Sequence, residues 1–278
     1  MPLPREFALS QSSLQDYEDC PRRFELRYLL KVQWPALESE PVLEQEAHRL
    51  QGERFHHRIH QWIAGLPVHQ QPVPAADADL ARWWQNFLQG DPLSALPARR
   101  WPEYTLSAPF AGIRLTAKYD ILAVEPGQRA VILDWKTSRR RTPGKLLRRR
   151  WQSRLYPLLL VLAGAHLNAG QPLQPEQVEM IYWFADFPNE PERWRYSAQD
   201  FERDQAALQA HIADLQTRPS GQFPMTVDTR ACQYCVYRSL CDRGVSAGPW
   251  EEELDADEPQ PGSVPLTVDF DQIGEIEF

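Results

Sequence analysis

The chain has 278 residues, 42% of them apolar, with 10 Trp and 11 Phe, enough for a sizeable core in one large domain or two small ones. Its net charge of −8 argues at first against a polyanionic partner, but residues 245–278 hold ten acids and no Lys or Arg, and without them 30 basic residues face 28 acidic ones. The opening MPLPREFALS lacks a basic segment followed by an apolar one, and the longest apolar run, LYPLLLVLAGA at 155–165, is too short to span a bilayer, so a cytoplasmic location without a membrane partner is expected.

Residues 10–30 predict a helix with a serine N-cap, interrupted or kinked where Pro21 follows Cys20. A second helix is expected over roughly 42–64, an irregular Pro-rich connection over 65–78, and a short helix over 79–89. From about 102 the period becomes alternating: PEYTLSA, IRLTAKYDILAV and RAVILDWKT give three successive strands, with EPGQ as the turn between the second and third. A helix over LLRRRWQSRLYPLLLVLAGA, a strand over VEMIYWFADF and a closing helix from Ser197 with Asp200 in its first turn complete the order helix, three strands, helix, strand. The pattern contains no internal repeat. Residues 1–244 thus read as one domain, and 245–278, rich in acids and Pro, as a disordered tail.

The chemistry gathers at ILDWKT. On a strand, Asp134 and Lys136 share a face and Trp135 takes the other. Burying either charge costs several kcal/mol unless a partner or metal compensates. A hairpin around EPGQ brings Asp120 beside Asp134, and two adjacent carboxylates call for a cation, of which Mg²⁺ or Mn²⁺ suits oxygen ligands best. Lys136 would then orient or deprotonate a water and offset charge on a phosphate, the chemistry of phosphodiester hydrolysis. An isolated D-x-K is more often a surface ion pair, so this reading leans on its neighbours.

Three other groups support it. In QGERFHHRIHQWIAG, Phe55, Ile59, Trp62 and Ile63 form one apolar stripe, which puts His56 on its edge, His57 on the solvent side and His60 in a weaker position, with Gly52 leaving room for close approach one turn earlier. Arg139, Arg140, Arg141, Lys145, Arg148, Arg149, Arg150 and Arg154 follow Lys136 uninterrupted by acid, a plausible clamp for a phosphate backbone, and Gln152 and Tyr156 share one helix face beside them. Cys20, Cys232, Cys235 and Cys241 are the only cysteines; C-x₂-C-x₅-C with a distant fourth thiol suits one zinc or one [4Fe–4S] cluster, and spacing does not choose between them.

In this order the motifs resemble the PD-(D/E)XK nuclease superfamily, specifically its RecB-like branch with an iron–sulphur cluster, which includes nuclease domains of helicase–nuclease subunits and small CRISPR-associated exonucleases. The resemblance covers residues 7–243. GERFHH is similar to its G-x-x-x-H, AKYDIL to its G-R-x-D with Ala117 and Lys118 in place of Gly and Arg, ILDWKT to its (D/E)-x-K, and QSRLY to its Q-x-x-x-Y. The resemblance implies a restriction-endonuclease-like α/β core, a mixed sheet flanked by helices, with helical additions. It implies a Mg²⁺- or Mn²⁺-dependent DNA exonuclease preferring single-stranded ends, in repair or recombination and beside a helicase or recombination partner. His56, Asp120 and Asp134 would hold the metal, Lys136 would act on the attacking water, Gln152 and Tyr156 would position substrate, and the four cysteines would hold a [4Fe–4S] cluster, with zinc as the alternative. A different reading keeps the fold as a non-catalytic DNA-binding or assembly scaffold.

Overall fold

The computed structural model describes residues 7–32, 40–68, 73, 77–233 and 235–244, so the acidic tail and part of the Pro-rich connection lie outside the described residues. Strand β1 (Ala8–Leu9) leads into α1 (Gln11–Asp19). Ser10 caps α1 by accepting from the Ser13 N–H, while Ser13 accepts from the Ser10 N–H at 2.8 Å. Cys20 is extended (φ −161°) and stops the helix; Pro21, which has no N–H to satisfy, starts α2 (Pro21–Phe24), and a π turn follows over Glu25–Leu29. Of the interruption or kink expected here the structure has the interruption, and it turns Cys20 out of the helix.

Helices α3 (Glu40–Ile63) and α4 (Ala78–Gly90) stand between β1 and the other five strands of a six-stranded sheet. Strand β2 (Arg99–Phe110) pairs antiparallel with β3 (Ile113–Glu125) through a two-residue turn, Ala111 and Gly112, both at positive φ. Strand β4 (Arg129–Lys136) returns antiparallel to β3 around Pro126–Gln128, β5 (Val178–Phe184) runs parallel to β4, and β6 (Phe187–Arg195) closes the edge. Two apolar clusters cover the sheet. One packs α1, α2, α6 (Trp151–Ala163) and α7 (Ala198–Thr217) on Leu122, Val124, Ala130 and Ile132; the other packs α3 and α4 on Ile121, Ala123, Val131 and Leu133. This is the expected mixed sheet between helical layers. No helix of the described residues is long and apolar enough to cross a membrane.

Three local expectations need correction. Residues 146–165 do not form one helix: α5 (Gly144–Leu147) ends, Arg148 to Arg150 turn, and α6 begins afresh at Trp151 with Arg150 extended. Three adjacent guanidiniums with no intervening acid repel along a helix, whereas the break lets Trp151 bury completely and its backbone N–H donate to Gln15 Oε1 at 3.0 Å. Strand β6 was not expected, because FPNEPERWR carries two prolines and four charges; it is tolerated at a sheet edge, where one side needs no ladder partner. The two-residue β1 was not expected either.

Candidate active site

Strand β3 is paired with β2 along one edge, and its other edge is shared. At one end β1 takes Arg114 and Leu115; at the other β4 pairs from Glu125 back to Ile121, opposite Leu133. Beyond Leu133 the two strands part. Asp120 fills the fork, its Oδ2 accepting from the Trp135 N–H at 2.8 Å in place of a ladder bond. Alternation also slips by one here: Ile113, Leu115, Ala117 and Tyr119 face α6, and past Asp120 the residues facing α6 are Leu122 and Val124. Opposite Asp120 on β2 sits Glu103, whose φ of +52° is the backbone irregularity that accompanies the slip.

The fork opens a cleft of about 370 Å³ that both helical layers reach. From α3, His56 Nδ1 lies 3.3 Å from Asp120 Oδ1. Gly52, one turn earlier, allows the approach: a Cβ there would lie 2.8 Å from Thr137 Oγ1, at the end of β4. The ladder rows put Asp134 on the α6 side, where Gln152 meets it. Gln152 donates to Asp134 Oδ2 at 2.7 Å and accepts from Lys136 Nζ at 2.9 Å and from the Tyr182 hydroxyl at 3.0 Å. Lys136 Nζ stands 3.0 Å from Asp134 Oδ1, which is buried and outside hydrogen-bond alignment with any donor. Tyr156 donates to the Lys118 carbonyl at 2.8 Å, tying α6 to β3.

Two buried carboxyls and one ammonium cannot all stay charged at no cost. Burial is the largest influence on Asp134; with Asp120 adding to it and Lys136 opposing, its carboxyl is pushed up to about 7. Burial also pushes Asp120 up, but His56, the Trp135 N–H and Lys136 together outweigh it and hold that carboxyl below its ordinary value. Below neutrality Asp120 therefore carries the charge while Asp134 keeps its proton.

The cleft brings together His56, Asp120, Asp134, Lys136, Gln152 and Tyr156, and His60 lines it as well. It is not lined by any of the eight basic residues expected to bind phosphates. Of these, Arg139, Arg140, Lys145, Arg148 and Arg149 are exposed on the segment after β4, while Arg141 pairs with Glu192, Arg148 stacks on Trp194 and Arg150 lies 4.0 Å from Asp19. Arg154 has another role: 13% exposed, it binds Asp204 at 2.8 Å and lies over the Trp151 ring, so it holds α6 to α7. The four cysteines line a separate small cavity with Arg23, Arg238 and Arg243. Burial pushes the Cys235 and Cys241 thiols up, and Cys20 adds to both, so the sulfurs sit within electrostatic reach of one another.

Sequence reasoning missed Glu103. Ligand atoms of His56, Glu103 and Asp120 lie within 4.8 Å of one another. The signal was present: Glu103 and Asp120 are equidistant from the Ala111–Gly112 turn, so a two-residue hairpin puts them face to face. Lys118, noted only as a departure from a motif, pairs with Glu103 at the cleft mouth.

Residues 8–242 match the PD-(D/E)XK nuclease superfamily, and the chain belongs to that superfamily. A nuclease is thus the class of protein that the fork, its paired carboxylates and its lysine define. No curated protein matches the chain. Among solved structures it is similar to SSO0001, at 15% identity and a TM-score of 0.42 over 85% of this chain and 86% of that one. It is also similar to a provisionally named exonuclease from Eubacterium rectale, at 11% identity and a TM-score of 0.47 over 76% of this chain and 82% of that one.

Proposed function

We propose that the chain is a Mg²⁺- or Mn²⁺-dependent deoxyribonuclease that trims single-stranded DNA ends. The observation that carries the reading is the pairing of Asp120 and Asp134 across a strand fork with one ammonium between Asp134 and Gln152. The donor set fits a hard divalent ion: the ligand atoms of His56, Glu103 and Asp120 lie within 4.8 Å of one another, one imidazole and two carboxylates, while Asp134 lies outside that group with its Oδ1 3.0 Å from Lys136 Nζ and would turn from the ammonium to the ion. His56, Asp120 and Asp134 would hold that ion, which supplies Lewis-acid stabilisation and a more acidic bound water.

The protein groups do the rest. Gln152 fixes Lys136 and Asp134 relative to each other, so the ammonium has one position from which to hold the attacking water and offset charge on a non-bridging phosphate oxygen. Tyr156 keeps β3 and α6 in register, so its role in placing substrate is indirect. A cleft of about 370 Å³ suits a small part of one strand better than a duplex. The exposed Arg139, Arg140, Lys145, Arg148 and Arg149, with Arg141 and Arg150 behind them, would track the phosphates leaving it.

The four cysteines belong to this proposal as a [4Fe–4S] site, with zinc as the alternative; three nearby arginines offset the charge that four thiolates bring. Such a site joins Cys20, ahead of α2, to the segment carrying Cys232, Cys235 and Cys241, and closes residues 1–244 as one domain. A role in repair or recombination beside a helicase completes the reading. The test is cleavage of end-labelled single-stranded and duplex DNA with Mg²⁺ or Mn²⁺. Asp134→Ala should abolish cleavage with fold and visible absorbance retained; full activity in that variant would return the chain to the scaffold reading.

A further inference from the structure

Glu103 is left unused by the mechanism above, yet it is built into the same cleft. Its left-handed backbone, opposite Asp120, turns its side chain toward His56 and Asp120, and the three groups place one nitrogen and two carboxylates within 4.8 Å of one another from three different elements. The carboxylate is not a surface group: it is 23% exposed. Its partner is the Lys118 ammonium, which is 63% exposed and two residues ahead of Asp120 on β3.

Charge explains why the pair is arranged this way. Once Asp134 has given up its proton, Asp120, Asp134 and Glu103 set against Lys136 leave two negative charges, which one divalent ion cancels; with the ion in place Glu103 no longer needs Lys118. Resting on the metal site proposed above, we infer that Glu103 is a fourth protein ligand of that ion, held in reserve by Lys118, and that ion binding releases the Lys118 ammonium to a phosphate of the DNA. A carboxylate oxygen given to a cation has less charge for an ammonium, and an exposed four-carbon stem lets Lys118 swing to the mouth of the cleft without moving the strand. The bland alternative, an ordinary cross-strand ion pair, gives Glu103 no effect on the ion.

Mn²⁺ binding to the full chain, followed by electron paramagnetic resonance of the free ion, separates the two. Glu103→Gln should weaken binding by about tenfold or more. Lys118→Met should tighten it several-fold by removing the competitor, and should raise the KM for a single-stranded substrate at saturating Mn²⁺ more than it lowers kcat. Unchanged Mn²⁺ affinity in Glu103→Gln, or no tightening in Lys118→Met, overturns the inference. Metal-free melting curves of both variants check that the fold is intact. Asp134→Asn reports on the parent reading: if it binds Mn²⁺ like the wild type, the metal site itself is wrong, whereas loss there with none in Glu103→Gln removes the latch alone.

Discussion

Below about pH 7 an ion entering the fork would have to displace a proton from Asp134, which would make its binding pH-dependent. The Asp134 carboxyl, 3% exposed and facing Asp120, is pushed up to about 7. At pH 6 roughly ten molecules in eleven then hold that proton, and at pH 8 about one in eleven, so apparent Mn²⁺ affinity should be about tenfold weaker at pH 6 than at pH 8. Titration calorimetry in two buffers of different ionisation enthalpy counts the protons: close to one released per ion at pH 6, and about a tenth at pH 8. The stability of the metal-free protein runs the other way. An unfolded Asp ionises near about 3.9 and the native one near 7, so between those values the native chain holds a proton the unfolded chain has lost; this contribution to stability falls as pH rises through the window and is level above it. Mn²⁺ affinity and proton release that stay flat from about pH 5.5 to 8 would refute the picture of a carboxyl holding a proton in a cation's place.

Gln152→Leu removes the one amide that joins Asp134, Lys136 and Tyr182; kcat at saturating Mn²⁺ should fall about tenfold to a hundredfold, and urea unfolding should show a loss of about 1–3 kcal/mol from the stranded buried partners. The basic residues should separate into two kinds. Arg149→Ala, at an exposed position, should leave stability within about 0.5 kcal/mol and lower the salt dependence of DNA binding by about one unit of log–log slope. Arg154→Ala should instead destabilise by about 3–5 kcal/mol through uncovering Asp204, with the salt slope of the remaining folded protein unchanged.

The central hairpins and the site motifs were legible because they rest on local rules. Gly127 at φ +77° in the EPGQ turn sets the β3–β4 register, which ends with Ile121 opposite Leu133 and so leaves Asp120 and Asp134 as the next residues on the two strands. His56 followed from helical spacing, since Phe55 and Ile59 had to face the core. What escaped was set by tertiary contacts. The break before α6 depends on burying Trp151 against α1, and β6 on its place at an edge. The role of Arg154 depends on Asp204, fifty residues away, which no charge count along the chain could reveal. Glu103 lies between: its position was readable from the hairpin, but the left-handed turn that aims it into the cleft was not.

Buried acids elsewhere in the chain show what a purely structural carboxylate looks like. Asp16 faces Arg23 and Arg27, each at 2.7 Å, and Asp204, 0% exposed, takes Arg154, Arg203 and the Tyr196 hydroxyl. Each has two guanidiniums for one negative charge. In the fork the ratio is reversed, with Asp120 and Asp134 sharing Lys136 and, when protonated, His56. A fold selecting for stability alone would not leave that deficit, because an unneutralised buried charge costs several kcal/mol. The two kinds should answer oppositely to the same isosteric change at pH 8 without metal: Asp204→Asn takes the buried charge from Arg154 and Arg203 and destabilises by about 3–5 kcal/mol, whereas Asp134→Asn removes surplus negative charge and stabilises. Chemical denaturation of the two variants measures both signs, and a destabilised Asp134→Asn would mean that the fork is neutralised by the fold itself and has no need of a cation.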